Sequence, residues 1–452
     1  MKIDDFLIDG EFSIRDALSK IDKNSYGIIF AQKPSGEVYG LATDGDIRRS
    51  LLSGLELDSQ LSECLNKDFH WEHAGASRET LIKKLDHQIR VIPLLDIDMK
   101  LVGVITKENL PEIEERPVYA RSQSPVRISF GGGGSDLTHY FSDGIGAVIN
   151  ATISFYSHAT LHVRGDSQII INSLDLNDTL KADNLQELLK APGNFGLIQA
   201  VIKTVNPEYG FELDLHSDFP MSSGLGGSAV VAATILGCFN QFRKDQWSLH
   251  ELSELAYQAE RLHQGVEGGW QDQYATIFGG FNFIEFQMDQ NVVYPLRIPS
   301  DNLSELEESL ILCNTGIKHD SGNIHKDQRN QMKQKDMQAL VQQNVELCYK
   351  IRNQLLRGSL LEFGASLNDA WQLKRRLSAE ISNEHLDNIY TNAITNGAIG
   401  GKLLGAGGGG FFLFFVPPSK KHRLLSHLTS AGLDVKPFKF ESEGLKSWKV
   451  RV

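Results

Sequence analysis

Cysteine is scarce in this chain and nowhere paired in sequence. Cys64, Cys238, Cys313 and Cys348 are scattered over 452 residues, and no C-x-x-C occurs. Such spacing argues against a structural zinc site, a dithiol redox motif or a disulfide framework, and suits buried thiols in a reducing compartment. Positive charge is also in short supply. Lys and Arg number 45 against 57 Asp and Glu, a formal net charge of −12, so nucleic acid is not an expected partner, because its binders normally carry a basic face. An acidic protein that handles phosphates must use local N–H groups, metal ions or a few placed cations. No apolar run approaches the length of a membrane span, and the N-terminal MKIDDFLIDGEF lacks the charged-then-apolar order of a secretory signal. No membrane partner and a cytoplasmic location are expected.

The length is too great for one ordinary core, so two or three domains are expected. The first 115 residues contain an imperfect echo. YGIIFAQKPSGEVYGLATDGDIRRSLLSG reads as strand, turn, strand and amphipathic helix, and IRVIPLLDIDMKLVGVITKENLPEI repeats that order. Aligned on the second strand, both copies read G-x-x-T-x-x-D or N, through Thr43 and Asp46 in one and Thr106 and Asn109 in the other. The polar, Pro-flanked segment that follows, 116–123, reads as a linker. Beyond it, VINATISFYSHATLHV has strand content. SAVVAATILGCFNQF is an apolar helix, and Leu252, Leu255, Ala256, Ala259 and Leu262 stand at helical spacing. Strands and helices are mixed without strict alternation, which favours an α+β body over a doubly wound sheet.

Glycine, by contrast, is plentiful. GGGG at 131–134, PMSSGLGGSAV at 220–230 and GAGGGG at 405–410 each adjoin an apolar strand or helix. Glycine costs backbone entropy, so its concentration at a helix start needs a reason. N–H groups at a helix N-terminus lack internal partners and carry the positive end of the dipole, and glycines let an anion reach them. No Lys follows as a P-loop requires, and no G-x-G-x-x-G stands between a strand and a helix. Phosphoryl transfer further needs a metal and a group acting on the attacking hydroxyl. Ser228 lies at the helix start, Glu260 at the edge of the next apolar stripe, and Asp272 in GGWQDQYATIFGG. Singly, these read as an N-cap hydroxyl, a solvated helix carboxylate and a turn residue. Alongside three glycine loops they suit a hydroxyl and a carboxylate for Mg²⁺, with a second carboxylate for the acceptor.

SPVRISFGGGGSDL, PMSSGLGGSAV, AERLHQGVEGGWQDQYATIFGG and GGKLLGAGGGGFFLFF resemble the successive motifs of the GHMP kinases. Within that superfamily the wording is most similar to the D-glycero-D-manno-heptose 7-phosphate kinases, from about Ser124 to the C-terminus. The resemblance implies an α+β, two-lobed fold, with a ribosomal-protein-S5-like N-lobe over 124–300 and a ferredoxin-like C-lobe over 301–452. It implies that Pro220, Ser222, Ser223, Gly224, Leu225, Gly226, Gly227 and Ser228 wrap the phosphates of ATP. Ser228 and Glu260 would hold Mg²⁺, Asp272 would act on the sugar hydroxyl, and Asp136 would accept hydrogen bonds from the sugar. Many members carry Ser where Gly227 stands here, a hydroxyl that supports the catalytic Asp, so Asp272 is expected to be positioned by another group. Residues 1–115 resemble a pair of CBS motifs, a small α/β unit. In such pairs Thr43, Asp46, Thr106 and Asn109 would contact an adenine nucleotide; alternatively the pair serves as a dimerisation platform for a homodimer.

The expected activity is ATP-dependent phosphorylation of the anomeric hydroxyl of a sugar phosphate, D-glycero-D-manno-heptose 7-phosphate first. Gly133, Gln271, Gly407 and Gly408 join the substrate-binding candidates. Arg127, just before the first glycine loop, and Lys402, inside GGKLL, are candidates to meet the sugar phosphate. Lys374, Arg375 and Arg376 form the densest basic cluster but rank lower, since a basic run usually lies on a solvated face. The rivals are a kinase for another sugar such as L-fucose, and a silent kinase body whose CBS pair senses nucleotides.

Overall fold

The computed structural model describes residues 2–111, 118–142, 144–220, 223–317, 324, 327 and 335–451. The chain divides into two compact units, Met1–Glu115 and Arg116–Val452. Among the described residues no helix is long and apolar enough to cross a membrane.

The front unit is a duplicated β-α-β-β motif. The first copy runs β1 (Leu7–Asp9), α1 (Ile14–Asn24), β2 (Ile28–Gln32) and β3 (Val38–Thr43), followed by α2 (Asp44–Leu52); the second runs β4 (Glu72–His73), α3 (Arg78–Lys84), β5 (Val91–Leu95) and β6 (Leu101–Thr106). In each copy the first strand pairs parallel with the second, and the second antiparallel with the third. The echo read from the sequence is therefore the second half of a longer repeat. Helix α1 starts at a capping box between Ser13 and Asp16 and buries Ile14, Ala17 and Ile21 on one face. The helix expected after β6 does not form over 107–111, and 112–117 lie outside the described residues. Pro111 disfavours the helical region for Leu110, which accounts for the early stop.

Among the described residues the second unit has two sheets. Its strands are β7 (Val118–Gly131), β8 (Gly146–Val163), β9 (Ile169–Ser173), β10 (Asp178–Ala182), β11 (Phe211–Ser217), β12 (Phe281–Phe286), β13 (Asn291–Pro295), β14 (Leu310–Asn314), β15 (Gly400–Leu403), β16 (Phe411–Phe415), β17 (Asp434–Lys436) and β18 (Lys446–Arg451). Within the described residues β10-β9-β11-β8-β12-β13 form one sheet, extended by β7 and β18 beside β8. The other sheet has the order β15-β16-β14-β17 and is antiparallel. Two expectations change. The stretch 118–123 is the start of β7 rather than linker, because β18 supplies its hydrogen-bond partners, Trp448 opposite Arg121. For the same reason the C-terminal strand belongs to the sheet of the N-lobe, so the boundary at 300/301 is crossed.

Helix α4 (Gly196–Val205) and helices α5 (Gly227–Asn240), α6 (Leu249–Gln258) and α7 (Gln271–Phe278) cover the large sheet, while α8 (Lys335–Arg357) and α9 (Leu360–Arg375) belong to the second half. FFLFF in β16 is buried throughout: Phe411, Leu413 and Phe415 enter one core cluster, and Phe412 and Phe414 another. Both faces of the strand are covered, so its apolar run does not alternate.

A chain beginning at Arg116 should fold alone and unfold with the midpoint of the second unit in the full chain. Scanning calorimetry of both chains checks this, and an unfolded truncation would show that the units are interdependent.

Candidate active site

Two of the glycine loops meet backbone to backbone. A Cβ on Gly405 would lie 2.6 Å from the Gly224 Cα, and both residues have positive φ. Side chains would separate the loops, which explains glycine on both sides. After the left-handed Gly226, helix α5 begins at Gly227, one residue earlier than expected. The N–H groups of Gly227, Ser228 and Ala229 stand in its first turn, where intrahelical acceptors do not exist. A Cβ on Gly227 would meet the Phe219 ring at 2.9 Å, so the missing serine leaves no gap here.

Helix α6 carries Glu260 to the site on its buried face. The helix passes into a π-turn, Ala259–His263, where the Gln264 N–H reaches the Ala259 carbonyl. The face that this helix buries runs through Leu252, Ser253, Ala256 and Ala259, so Glu260, four residues after Ala256, lies on it and is 1% exposed, whereas Leu262, expected in the apolar stripe, falls off it and is 72% exposed. Inside, Glu260 Oε1 accepts from the Ser228 hydroxyl at 2.5 Å, and its other oxygen accepts from Gln273 Nε2. Ser228 and Glu260 thus meet across 32 residues.

The group that positions Asp272 is Arg127. Its Nε and Nη2 donate to the two carboxylate oxygens at 2.8 and 2.7 Å, and its Nη1 donates to the Gly224 carbonyl at 2.8 Å. Arg127 is buried. Expected to reach a sugar phosphate, it is instead committed to Asp272 and the glycine loop. Asp136 accepts from the N–H groups of Gly134 and Gln271. Burial, and next the charge of Asp272, push its carboxyl above the usual range.

Arg127, Asp136, Ser228 and Asp272 line one cavity of about 320 Å³, together with Gly133, Ser223, Gln271, Lys374 and Lys402, while Glu260 stands behind Ser228 and does not line it. Lys374 donates to the carbonyls of Leu403 and Gly405. Burial, then the cations of Lys402 and Arg127, hold its amine well below the ordinary lysine range. Lys402 is buried, and among the described residues its amine has no hydrogen-bond or ion-pair partner. Burial and the nearby Arg127 bring it down to about 7. The Gln271 Nε2 and the Ser223 hydroxyl are likewise buried without partners.

Other candidates fall elsewhere. Gly407 and Gly408 do not line the cavity; the glycine loop contributes Gly405 and Ala406, while Gly407 packs on Ile381 and Gly408 donates to its carbonyl. Leu225 is a core residue, Pro220 is exposed, and Ser222 lies outside the described residues. Arg375 pairs with Asp387 at 2.7 Å, and Arg376 ends α9. An apolar end of the cavity, with Leu197, Ile198, Leu215 and Val231, was not anticipated. Its residues come from ordinary helix and strand patterns and carry no local signal. In the front unit, Thr43 and Asp46 close a capping box at the start of α2, and Thr106 donates to Asn109 Oδ1 at 2.9 Å. Their side chains are thus engaged with one another.

The chain is 36% identical over 339 residues to the D-glycero-alpha-D-manno-heptose 7-phosphate kinase of Campylobacter jejuni, covering 73% of this chain and 99% of that protein. Residues 196–280 match the GHMP kinases N terminal domain, and 351–433 the GHMP kinases C terminal domain. The chain belongs to the GHMP kinases. This kinase also matches a CBS domain over 61–112. Its fold is similar to a solved D-glycero-D-manno-heptose 1-phosphate kinase from Bacteriodes thetaiotaomicron, with TM-score 0.61 and 30% identity over 73% of this chain and 99% of that one. A solved putative sugar kinase from Campylobacter jejuni is similar at TM-score 0.61 and 34% identity, over 75% and 100% of the two chains.

Proposed function

We propose that this sugar kinase transfers a phosphoryl group from ATP to the anomeric hydroxyl of D-glycero-D-manno-heptose 7-phosphate, in the cytoplasm, as a step toward nucleotide-activated heptose. The observation that carries the reading is the meeting, in one cavity, of a glycine-cradled helix N-terminus, the Asp272–Arg127 pair and the unpartnered Lys402. The heptose kinase relative supports the choice of sugar.

In this reading the N–H groups at the start of α5 take phosphate oxygens. Ser228 and Glu260 suit Mg²⁺, because a hydroxyl and a buried carboxylate within hydrogen-bond distance are hard oxygen ligands, and magnesium completes its shell with waters and phosphate. Bound there, the ion would neutralise charge on the transferring group. Asp272, with both oxygens held by Arg127, orients the anomeric hydroxyl and receives its proton. That hydroxyl is more acidic than an ordinary alcohol, which suits a carboxylate. Asp136 and Gln271 meet sugar hydroxyls, and Lys402 meets the 7-phosphate by a charge-assisted bond. The CBS-bearing front unit binds an adenine nucleotide as a regulator.

Asp272→Asn keeps the shape but removes the proton acceptor, so turnover should fall about 10²–10⁴-fold with ATP affinity little changed. Glu260→Gln should raise the Mg²⁺ concentration needed. An Asp272→Asn enzyme with near wild-type turnover would remove the proposed mechanism.

Loss of one charge-assisted contact is worth about tenfold or more. Heptose 7-phosphate should therefore exceed unphosphorylated heptose in kcat/KM by at least that factor in an ADP-release assay. Lys402 is charged below about 7 in the free protein, and a bound phosphate raises its pKa. Affinity for the sugar phosphate dianion should therefore fall as pH rises through about 7. Equal use of both sugars, or a preference for L-fucose, hands the case to a different sugar kinase. Absence of ADP release with any sugar favours the silent sensor.

Calorimetry with AMP should find a site in the full chain that the chain beginning at Arg116 lacks. Identical titrations of the two, with the full chain monomeric in sedimentation, would leave the front unit with neither proposed role.

A further inference from the structure

Arg261 follows Glu260 in the π-turn and lines the same cavity. Only 13% of its side chain is exposed. Its Nη1 donates to the carbonyls of Val266 and Glu267 at 3.2 and 3.5 Å, and its Nη2 to that of Gly269 at 3.4 Å. The same Nη1 lies 3.9 Å from Glu260 Oε1, the oxygen that takes the Ser228 hydroxyl. Among the described residues its Nε is buried without a partner. The loop is shaped around this guanidinium, for a Cβ on Gly268 would lie 2.4 Å from Arg261 Cζ.

The loop then grips Asp136. A Cβ on Gly269 would collide with the Asp136 carboxylate at 1.9 Å. The Trp270 N–H donates to the Asp136 carbonyl at 3.1 Å, and the Gln271 N–H to its Oδ2 at 3.2 Å. Asp272 is the next residue. One guanidinium therefore stands between the carboxylate read above as a metal ligand and the loop that holds the acceptor side.

We infer that Arg261 is a positioning residue that couples the two halves of the site, so that Mg²⁺·ATP and the sugar phosphate bind with positive cooperativity. The inference rests on the kinase reading above. Without metal, the guanidinium is shared between Glu260 and three long hydrogen bonds to the loop. A cation on Glu260 takes up that charge and repels the guanidinium. Arg261 then commits to the loop carbonyls, which tightens the loop on Asp136. The planar fork reaches several carbonyls at once, which a lysine ammonium on a flexible stem does not reproduce. The two metal states thus differ in their interaction with the loop, which is what coupling requires.

The test is calorimetric titration of heptose 7-phosphate into the full chain, with and without Mg²⁺ and a non-hydrolysable ATP analogue. The wild type should bind the sugar phosphate about fivefold or more tightly in their presence. In Arg261→Met this ratio should fall to near one while Mg²⁺·nucleotide binding persists. Arg261→Lys should not restore it. Gly268→Ala keeps the arginine but displaces it, and should lose the coupling too; it decides the matter if Arg261→Met does not fold. Wild-type coupling retained in both Arg261→Met and Gly268→Ala, or no coupling in the wild type, overturns the inference. Its failure is distinct from that of the kinase reading, which is judged by ADP release and fails if the wild type releases none with the sugar phosphate or uses another sugar as well or better.

Discussion

A buried guanidinium, Arg127, binds both oxygens of Asp272 and with its remaining nitrogen the carbonyl of Gly224, and this one fork joins a strand, a helix and a glycine loop that are far apart in sequence. Taking such charges out of water is costly unless geometry and hydrogen bonding are close to complete, as they are here. Removing one partner of a buried pair typically costs about 3–5 kcal/mol, because the other is left uncompensated. Gly227 has no hydroxyl with which to support the acidic group, and the fork supports it from the strand instead. With Phe219 against Gly227, the carboxylate is held by charge from one side rather than by a hydroxyl from the helix start.

Around that fork the site concentrates positive charge in a chain whose net charge is −12. Arg127, Lys374 and Lys402 are all buried; Lys374 is pushed down by burial, then by Lys402 and Arg127, and Lys402 by burial, then by Arg127. Lys374 spends its donors on the carbonyls of the strand and loop beside Gly224. Among the described residues Lys402 has none engaged. An amine kept out of water and without an acceptor is poised for an anion brought from outside. The glycine loops serve the same end, since their close approach leaves N–H groups, not side chains, on the cavity wall.

Much of this was legible locally. Glycine runs beside apolar segments, a serine at a helix start and carboxylates near glycine are patterns of composition and short spacing, and they named Ser228, Glu260 and Asp272 as candidates, while Asp136 was named by the family resemblance. The duplication of the front unit was legible too, though only its second half, because the short strands β1 and β4 carry too few residues for a period. The apolar end of the cavity was not, for its leucines and isoleucines read as any core.

Chemical type, glycine placement and the periodicity of long apolar helices are written in neighbouring residues, and the sequence by itself determined them. Partnership is not written there. That Arg127 answers to Asp272, that β18 turns 118–123 into strand, and that Gly407 and Gly408 face Ile381 rather than the cavity all depend on contacts across tens to hundreds of residues. The phase of Glu260 lies between these cases. Helical spacing from Leu252 and Ala256 places Glu260 on their face, but that Ser253 rather than Leu255 is fully buried, which decides that Glu260 goes inside and Leu262 outside, depends on packing against the rest of the fold.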